Sequence, residues 1–477
     1  MDYKWRAFIA VAIGLFTSVF DAGTVTVALP SMAEYFHTEL PTAQWVVIGY
    51  GLTIAALLLP MGRLSDLVGR KRVYLLGFVV FIIGGLLSAV ATHIFWLIGA
   101  KVIQGVGAAM NQGTGIAMII SSFGENNRGK ALGLIMSIVG VGGVAGPAAG
   151  GVLVGLLGWQ SVLYTTSFMG LVSAIAALLL LDASKHRGVR TDTDEFDWFG
   201  AALSSCVLLS FLAAMTLGSR IGWDDASVVA CFTAFVAALG MFIFWELRIS
   251  SPMMDVRLFK AWVFSTGVAC NYISFIGMQS IRFLVPFYLQ MVLKVSPTVI
   301  GWLIVPSAIC LAIMGPLSGR LSDRYGWVVF NIAGLVISAG GLLILCTLRV
   351  DSSLALVVLG MVIQSTGIGI FNAPNNSSVL SVVAPARYGV VSGFLQLVRN
   401  SGNVTGVAVA TAIVTSVMVT MGYPPTMSAI NENSDMNLLF SFTKGLRVTF
   451  VFCAVLLLAA SAFPLSDLLR KSVKGLR

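Results

Sequence analysis

The chain has 477 residues, of which 57% are hydrophobic and only 10% are charged. Soluble domains carry about 25% charged residues, so a soluble enzyme or a free nucleic-acid-binding domain is excluded and an integral membrane protein is implied. The net charge of +9 is explained by lysine and arginine gathered on one side of a bilayer, and no nucleic-acid partner is expected.

The apolar runs are near 20 residues long and do not alternate, so helices and not barrel strands are predicted. Fourteen spans are read in order. The first six are Ala7–Leu29, Thr42–Met61, Val73–Ala91, Ile94–Ser121, Ala131–Leu157 and Ser161–Leu181. Phe199–Leu217 and Ser227–Trp245 follow. The last six are Val263–Val292, Val299–Leu317, Val328–Leu348, Ser353–Val383, Val390–Met418 and Val448–Leu465. The first run lacks a small-residue cleavage site and is read as a retained helix. The stretch Gly422–Leu446 is read as the longest outside loop.

Orientation follows from the 29 Lys and Arg residues. Arg220, Lys294, Arg349, Lys444 and Arg447 fall in one set of loops, and Lys101, Arg282 and Arg399 fall inside spans. All the others lie in the opposite loops, which puts both termini in the cytoplasm and requires an even number of spans. The six cysteines lie inside apolar runs and the three histidines in loops. Neither set has metal-ligand or disulfide spacing, and no cofactor or metal is expected.

Between spans two and three lies the charged stretch Gly62–Arg72, read as a water-facing hairpin. Its first five residues recur as Gly319-Arg320-Leu321-Ser322-Asp323 between spans ten and eleven. The repeat implies two related halves, a duplication common among transporters. The expected division is residues 1–182 as one six-helix bundle and 261–477 as another. Between them, 183–260 supplies a polar linker and two inserted helices.

Several motifs carry a family resemblance. Gly62, Asp66, Gly69, Arg70, Lys71 and Arg72 resemble the cytoplasmic signature of the major facilitator superfamily, with Leu67 where a base is usual. Gly133, Gly142, Gly146, Pro147, Gly150 and Gly151 in span five match the antiporter signature in full. Phe20–Pro30 in span one resembles a motif of the fourteen-span drug:proton antiporters; Gly23, Thr24 and Thr26 depart from it. Gln44-Trp45, Tyr50 and Lys101–Gly107 also fit that family, with Lys101 where Arg is usual. The resemblance implies the major facilitator fold, with the first and fourth helix of each half lining a cavity. It also implies a cytoplasmic gate at Gly62–Arg72 and Asp323, and export more than import. Independently, the glycine spacing strips one face of span five for close helix contact, and Pro147 can bend it.

Asp21 is the only acid deep inside a span. A lone buried carboxylate escapes its cost by protonation or by pairing, and a group with that choice can carry a proton. At 1.5 Å rise per residue, Asp21, Lys101 and Arg282 lie roughly 10–15 Å from the outer ends of their spans and can share a layer. Proton coupling is assigned to these three. Substrate contacts are expected from Thr24, Gln104, Asn111, Asn271, Met278, Gln279, Gln364, Asn372 and Asn376, which form stripes on the cavity helices. Arg399 is read as a packing and tethering residue.

The expectation is therefore a monomeric multi-pass protein of the cytoplasmic membrane, a proton-coupled antiporter for amphipathic small molecules. Its partners are a small-molecule substrate, protons and membrane lipid. Two rivals are an uptake symporter or facilitator and a transporter-like sensor that moves nothing. An enzyme is not expected, because no phosphate loop or nucleophile triad occurs.

Overall fold

The computed structural model describes residues 2–123, 128–182, 197–221, 224–249, 256–383, 388–423 and 436–475. It is all-helical, with no strand among the described residues. The first six long helices are α1 (Tyr3–Tyr35), α2 (Trp45–Val68), α3 (Arg70–Ala89), α4 (Ile94–Phe123), α5 (Arg128–Leu157) and α6 (Gln160–Leu180). Next come α7 (Trp198–Ile221) and α8 (Ala226–Arg248). The last six are α9 (Trp262–Phe287), α10 (Pro297–Tyr325), α11 (Trp327–Leu345), α12 (Leu354–Ser381), α13 (Tyr388–Thr420) and α14 (Met436–Gly475). Among the described residues, thirteen helices are long and apolar enough to cross a membrane; in α7 the apolar stretch is shorter, Trp198–Phe211.

Most helices outrun the spans read from hydropathy, because helical hydrogen bonding continues past the apolar zone. The largest difference is in α14, which starts at Met436. Its first turns carry Lys444 and Arg447 and were expected to be loop; Leu438, Phe442 and Leu446 are buried along one face and hold the segment helical. The Gly62–Arg72 hairpin is not a loop either. Helix α2 runs to Val68, and α3 begins at Arg70. The whole reversal is Gly69, whose φ of 108° excludes a side chain. Seven residues after Gly319, Gly326 makes the same break between α10 and α11 at φ 85°. The repeat thus reaches three residues beyond the pentapeptide.

Helices α1–α6 pack among themselves, as do α9–α14. The two groups meet mainly through α5 on α10 and α2 on α13. Helices α7 and α8 pair with each other, and α7 lies against α2 and α13. The Asp197 carboxylate joins that pair: it accepts from the Gly200 amide at 2.8 Å and from Trp245 Nε1 at 2.9 Å. At the end carrying Pro30 and Val292 the two groups close on one another. Ser31 of α1 and Gln290, just beyond α9, exchange hydrogen bonds at 3.4 and 3.1 Å. One apolar cluster there includes Leu29 and Met32 from the first group and Phe287 and Met291 from the second.

Candidate functional site: a buried ion pair between α1 and α4

The site grows from α1 and α4. On α4, Lys101 and Gln104 lie one turn apart and share a face. That face meets α1 at Asp21, which is 1% exposed, like Lys101. Lys101 Nζ lies 3.4 Å from both Asp21 carboxylate oxygens. Gln104 Nε2 donates to Oδ1 at 3.4 Å, and the Lys101 ammonium lies 5.4 Å from the centre of the Tyr50 ring on α2. The contacts are long for charge-assisted bonds, which favour 2.7–2.9 Å. The pair is held without being clamped. Removing one member of such a buried pair costs about 3–5 kcal/mol, because the other charge is left without compensation.

Two expectations bear on this pair. Gln104, expected among the substrate contacts, is buried and donates to the Asp21 carboxylate. Arg282 is not a partner of Asp21: it has no ion pair or hydrogen bond among the described residues. Over residues 274–289 every side chain is buried except half-buried Gln279 and exposed Arg282. Gln279 and Arg282, three residues apart, share one face of α9, and that face is the accessible one over this stretch.

Thr24 is turned to α5, not to a cavity. Its hydroxyl donates to the Asp21 carbonyl at 3.0 Å, and its backbone lies where a side chain on Gly150 would be. Asn111 is buried, in a crevice lined by Gly14, Ser18 and Tyr74 of α1 and α3. Asn271 of α9 donates to Asn376 of α12 at 3.3 Å. Gln364 is buried, and its Nε2 has no partner. Met278 packs with Phe275, Ile368 and Leu311; Asn372 is half-buried on α12.

The span-five motif does its packing on two sides. A side chain at Gly142 would meet Val19, one at Gly146 would meet Phe20 and Gly23, and Pro147 stands against Gly23. Gly151 instead faces Pro297 and Gly301 of α10. Helix α5 is therefore the common neighbour of α1 and of the other half. The surroundings of Gly133 lie outside the described residues. So do the side chains of Asp66 and Asp323, on which a gate would turn. Lys71 is described: its ammonium donates to the Leu178 carbonyl at 3.0 Å and to that of Leu181, binding α3 to the end of α6. Arg70 is half-buried and Arg72 exposed.

Tyr50, read from the sequence only as fitting the family pattern, stands beside the ion pair; Arg399 was expected as a packing and tethering residue. The Arg399 guanidinium lies over the Phe275 ring at 5.5 Å, half-buried and without a carboxylate. The signal for Tyr50 was its depth: eight residues from the outer end of span two puts it roughly 12 Å in, level with Lys101.

The family model of the Major Facilitator Superfamily matches residues 11–407 and, overlapping, 268–474. The chain belongs to the major facilitator superfamily. It is 30% identical to the riboflavin transporter RibZ of Clostridioides difficile, over 86% of this chain and 88% of that one. It is 32% identical to the multidrug resistance protein Stp of Mycobacterium tuberculosis, over 84% of this chain and 74% of that one. A solved structure of a bacterial homolog of the human lysosomal transporter Spinster, inward-facing and unoccupied, superposes with a TM-score of 0.70. That likeness, at 18% identity and covering 97% and 96% of the two chains, concerns the fold. As a superfamily member the chain is a multi-pass membrane transporter of small molecules and not an enzyme.

Proposed function

We propose that this transporter is a proton-coupled antiporter that exports amphipathic small molecules across the cytoplasmic membrane by alternating access. It acts as a monomer of fourteen spans with both termini in the cytoplasm. Residues 1–182 and 261–477 are the two bundles that rock, and 183–260 carries the inserted pair.

The carrying observation is the Asp21–Lys101 pair, buried and held at 3.4 Å. A carboxylate in that position has two ways to meet the cost of burial. Ionised, it is held by Lys101 and Gln104; protonated, it is neutral and suits an apolar surrounding. A proton arriving from outside cancels the attraction, frees Lys101 and lowers the cost of moving α1 against α4. Release of the proton to the cytoplasm restores the pair. One proton entering per cycle resets the bundles after the cargo has left.

Coupling between the halves is supported by the position of α5, whose glycines seat both α1 and α10. Motion of the halves is thereby joined to the helix that carries Asp21. The printed names of Stp and of the Mycolicibacterium smegmatis multidrug efflux pump LfrA, 28% identical, fit export. The riboflavin transporter extends the range of cargo to metabolites.

The test begins with a drug-susceptibility panel in an efflux-deficient host with and without the gene. A compound found there is then taken into proteoliposomes with ΔpH imposed in each direction. The wild-type protein moves it against its gradient when protons flow the other way, and Asp21→Asn does not. An Asp21→Asn protein that still builds the gradient refutes proton coupling through this residue.

A further inference from the structure

We infer that the cargo carries an anionic head, received by Arg282 on α9 with Arg399 on α13 behind it. The inference deepens the export reading by naming the charge of what is carried.

Three buried or enclosed cations lie in the membrane-spanning helices, and they are not equivalent. Lys101 is matched by Asp21. Arg282 and Arg399 have no carboxylate partner among the described residues. A guanidinium stays charged at any working pH, so neither can escape its cost by losing a proton. An uncompensated charge inside a bundle is kept only where water or an arriving counter-charge meets it.

Placement favours the arriving charge. Phe275 precedes Arg282 by seven residues, two helical turns, so both lie on one face of α9, roughly 10 Å apart along its axis. Arg399 lies over that same Phe275 ring. The two guanidiniums therefore flank a single apolar patch, in which Phe275 and Met278 pack with Ile368. On α13, Asn403 lies one turn beyond Arg399; its Oδ1 and the Nδ2 of Asn400 are buried without partners. The patch is buried, with a guanidinium at each end and unused amide atoms beside it. That pattern suits a ring-bearing amphiphile whose head is a carboxylate or phosphate, the groups for which a guanidinium fork is shaped. A monocation brought within about 5 Å of Arg282 would be disfavoured on the order of a hundredfold at an effective dielectric near 20.

The test uses the full chain in phosphatidylcholine nanodiscs and two probes with the same xanthene core. Carboxyfluorescein is anionic and a rhodamine ester is cationic; binding is read by fluorescence anisotropy. The wild-type protein should bind the anion at least about tenfold tighter than the cation, the size of one hydrogen bond to a charged group. Arg282→Gln should remove that preference, and Arg282→Lys should keep part of it. Tighter binding of the cation by wild-type protein overturns the inference, as does an Arg282→Gln anion affinity within about twofold of wild type. If Arg282→Gln does not elute as a folded monodisperse species, the wild-type preference alone decides. Adding phosphatidylglycerol to the discs separates two sources of the head: a lipid competes with the probe, and a soluble anion is indifferent to it. Either result keeps an anionic head. Binding needs neither a gradient nor a direction, so the charge of the cargo and the proton coupling of Asp21 stand or fall separately.

Discussion

The two halves of the molecule share a scaffold and differ in charge. In the first half, Gly84 of α3 lies so close to α4 that an added methyl would collide with the backbone of Gln104. In the second, Gly341 of α11 lies in the same way against Gln364 of α12. Three residues before Gln104 is Lys101, and three before Gln364 is Met361. Gln104 reaches Asp21 across the interface, whereas the Gln364 amide nitrogen reaches nothing. Backbone contact was retained in both halves because a glycine interface tolerates no added atoms. Charge was free to diverge, because it depends on single side chains. The result is one half with a buried acid–base pair and another whose two arginines at membrane depth have no carboxylate partner among the described residues.

The sharpest way to break that comparison is to make the first half resemble the second. Asp21→Leu or Lys101→Met alone should destabilise the protein by about 3–5 kcal/mol, since each leaves a buried charge unpaired. The double variant should recover most of that stability while losing ΔpH-driven transport. Thermal unfolding of the four proteins in one detergent, with flux in proteoliposomes, checks both parts. A double variant no more stable than the singles would mean that the pair is not the unit described here.

The scaffold should respond alike in both halves. Gly84→Ala and Gly341→Ala should each cost about 1–3 kcal/mol, the usual range for overpacking, and by similar amounts. A midpoint shift in only one of them would show that the halves are not packed equivalently.

The glutamines should respond differently. Gln104→Leu removes a bond to a charged carboxylate and should cost about 1.5 kcal/mol or more. Gln364→Leu removes an amide that is already half unsatisfied, so it should be neutral or mildly stabilising. At Tyr50 the effect depends on the replacement. Tyr50→Phe keeps the ring under Lys101 and should change stability by less than about 0.5 kcal/mol, whereas Tyr50→Leu should lose about 0.5–2 kcal/mol of cation–π attraction. Unfolding midpoints of these variants, compared with wild type, read out all four changes.

Much of the fold was legible along the chain. A bilayer forces apolar runs of near-constant length, and duplication left the pentapeptide at Gly62 and Gly319 in matching places. The failures were local. The start of α14 was missed because Lys444 and Arg447 interrupt the apolar pattern while the opposite face of the helix is buried. The turn at Gly69 was drawn too long because polarity marks where a chain leaves hydrocarbon, not where its helix ends. Within the site, the shared depth of Asp21 and Lys101 was a matter of counting residues from helix ends, and the contact is there. The same count put Arg282 in reach of Asp21, since depth fixes one coordinate and says nothing of which way a helix faces.

By itself, then, the order of residues determined that this is a helical membrane protein of two related halves, with one acid among three cations at membrane depth. Spacing and polarity are one-dimensional, and the bilayer reads them directly. Which cation the acid takes was decided only by the tertiary structure. Rotation of α1, α4 and α9 about their own axes turned Lys101 and Gln104 toward Asp21 and left Arg282 exposed and unpaired among the described residues. Those rotations are set by how glycine faces such as Gly84 on Gln104 and Gly146 on Phe20 lock neighbouring helices, a contact no single span contains.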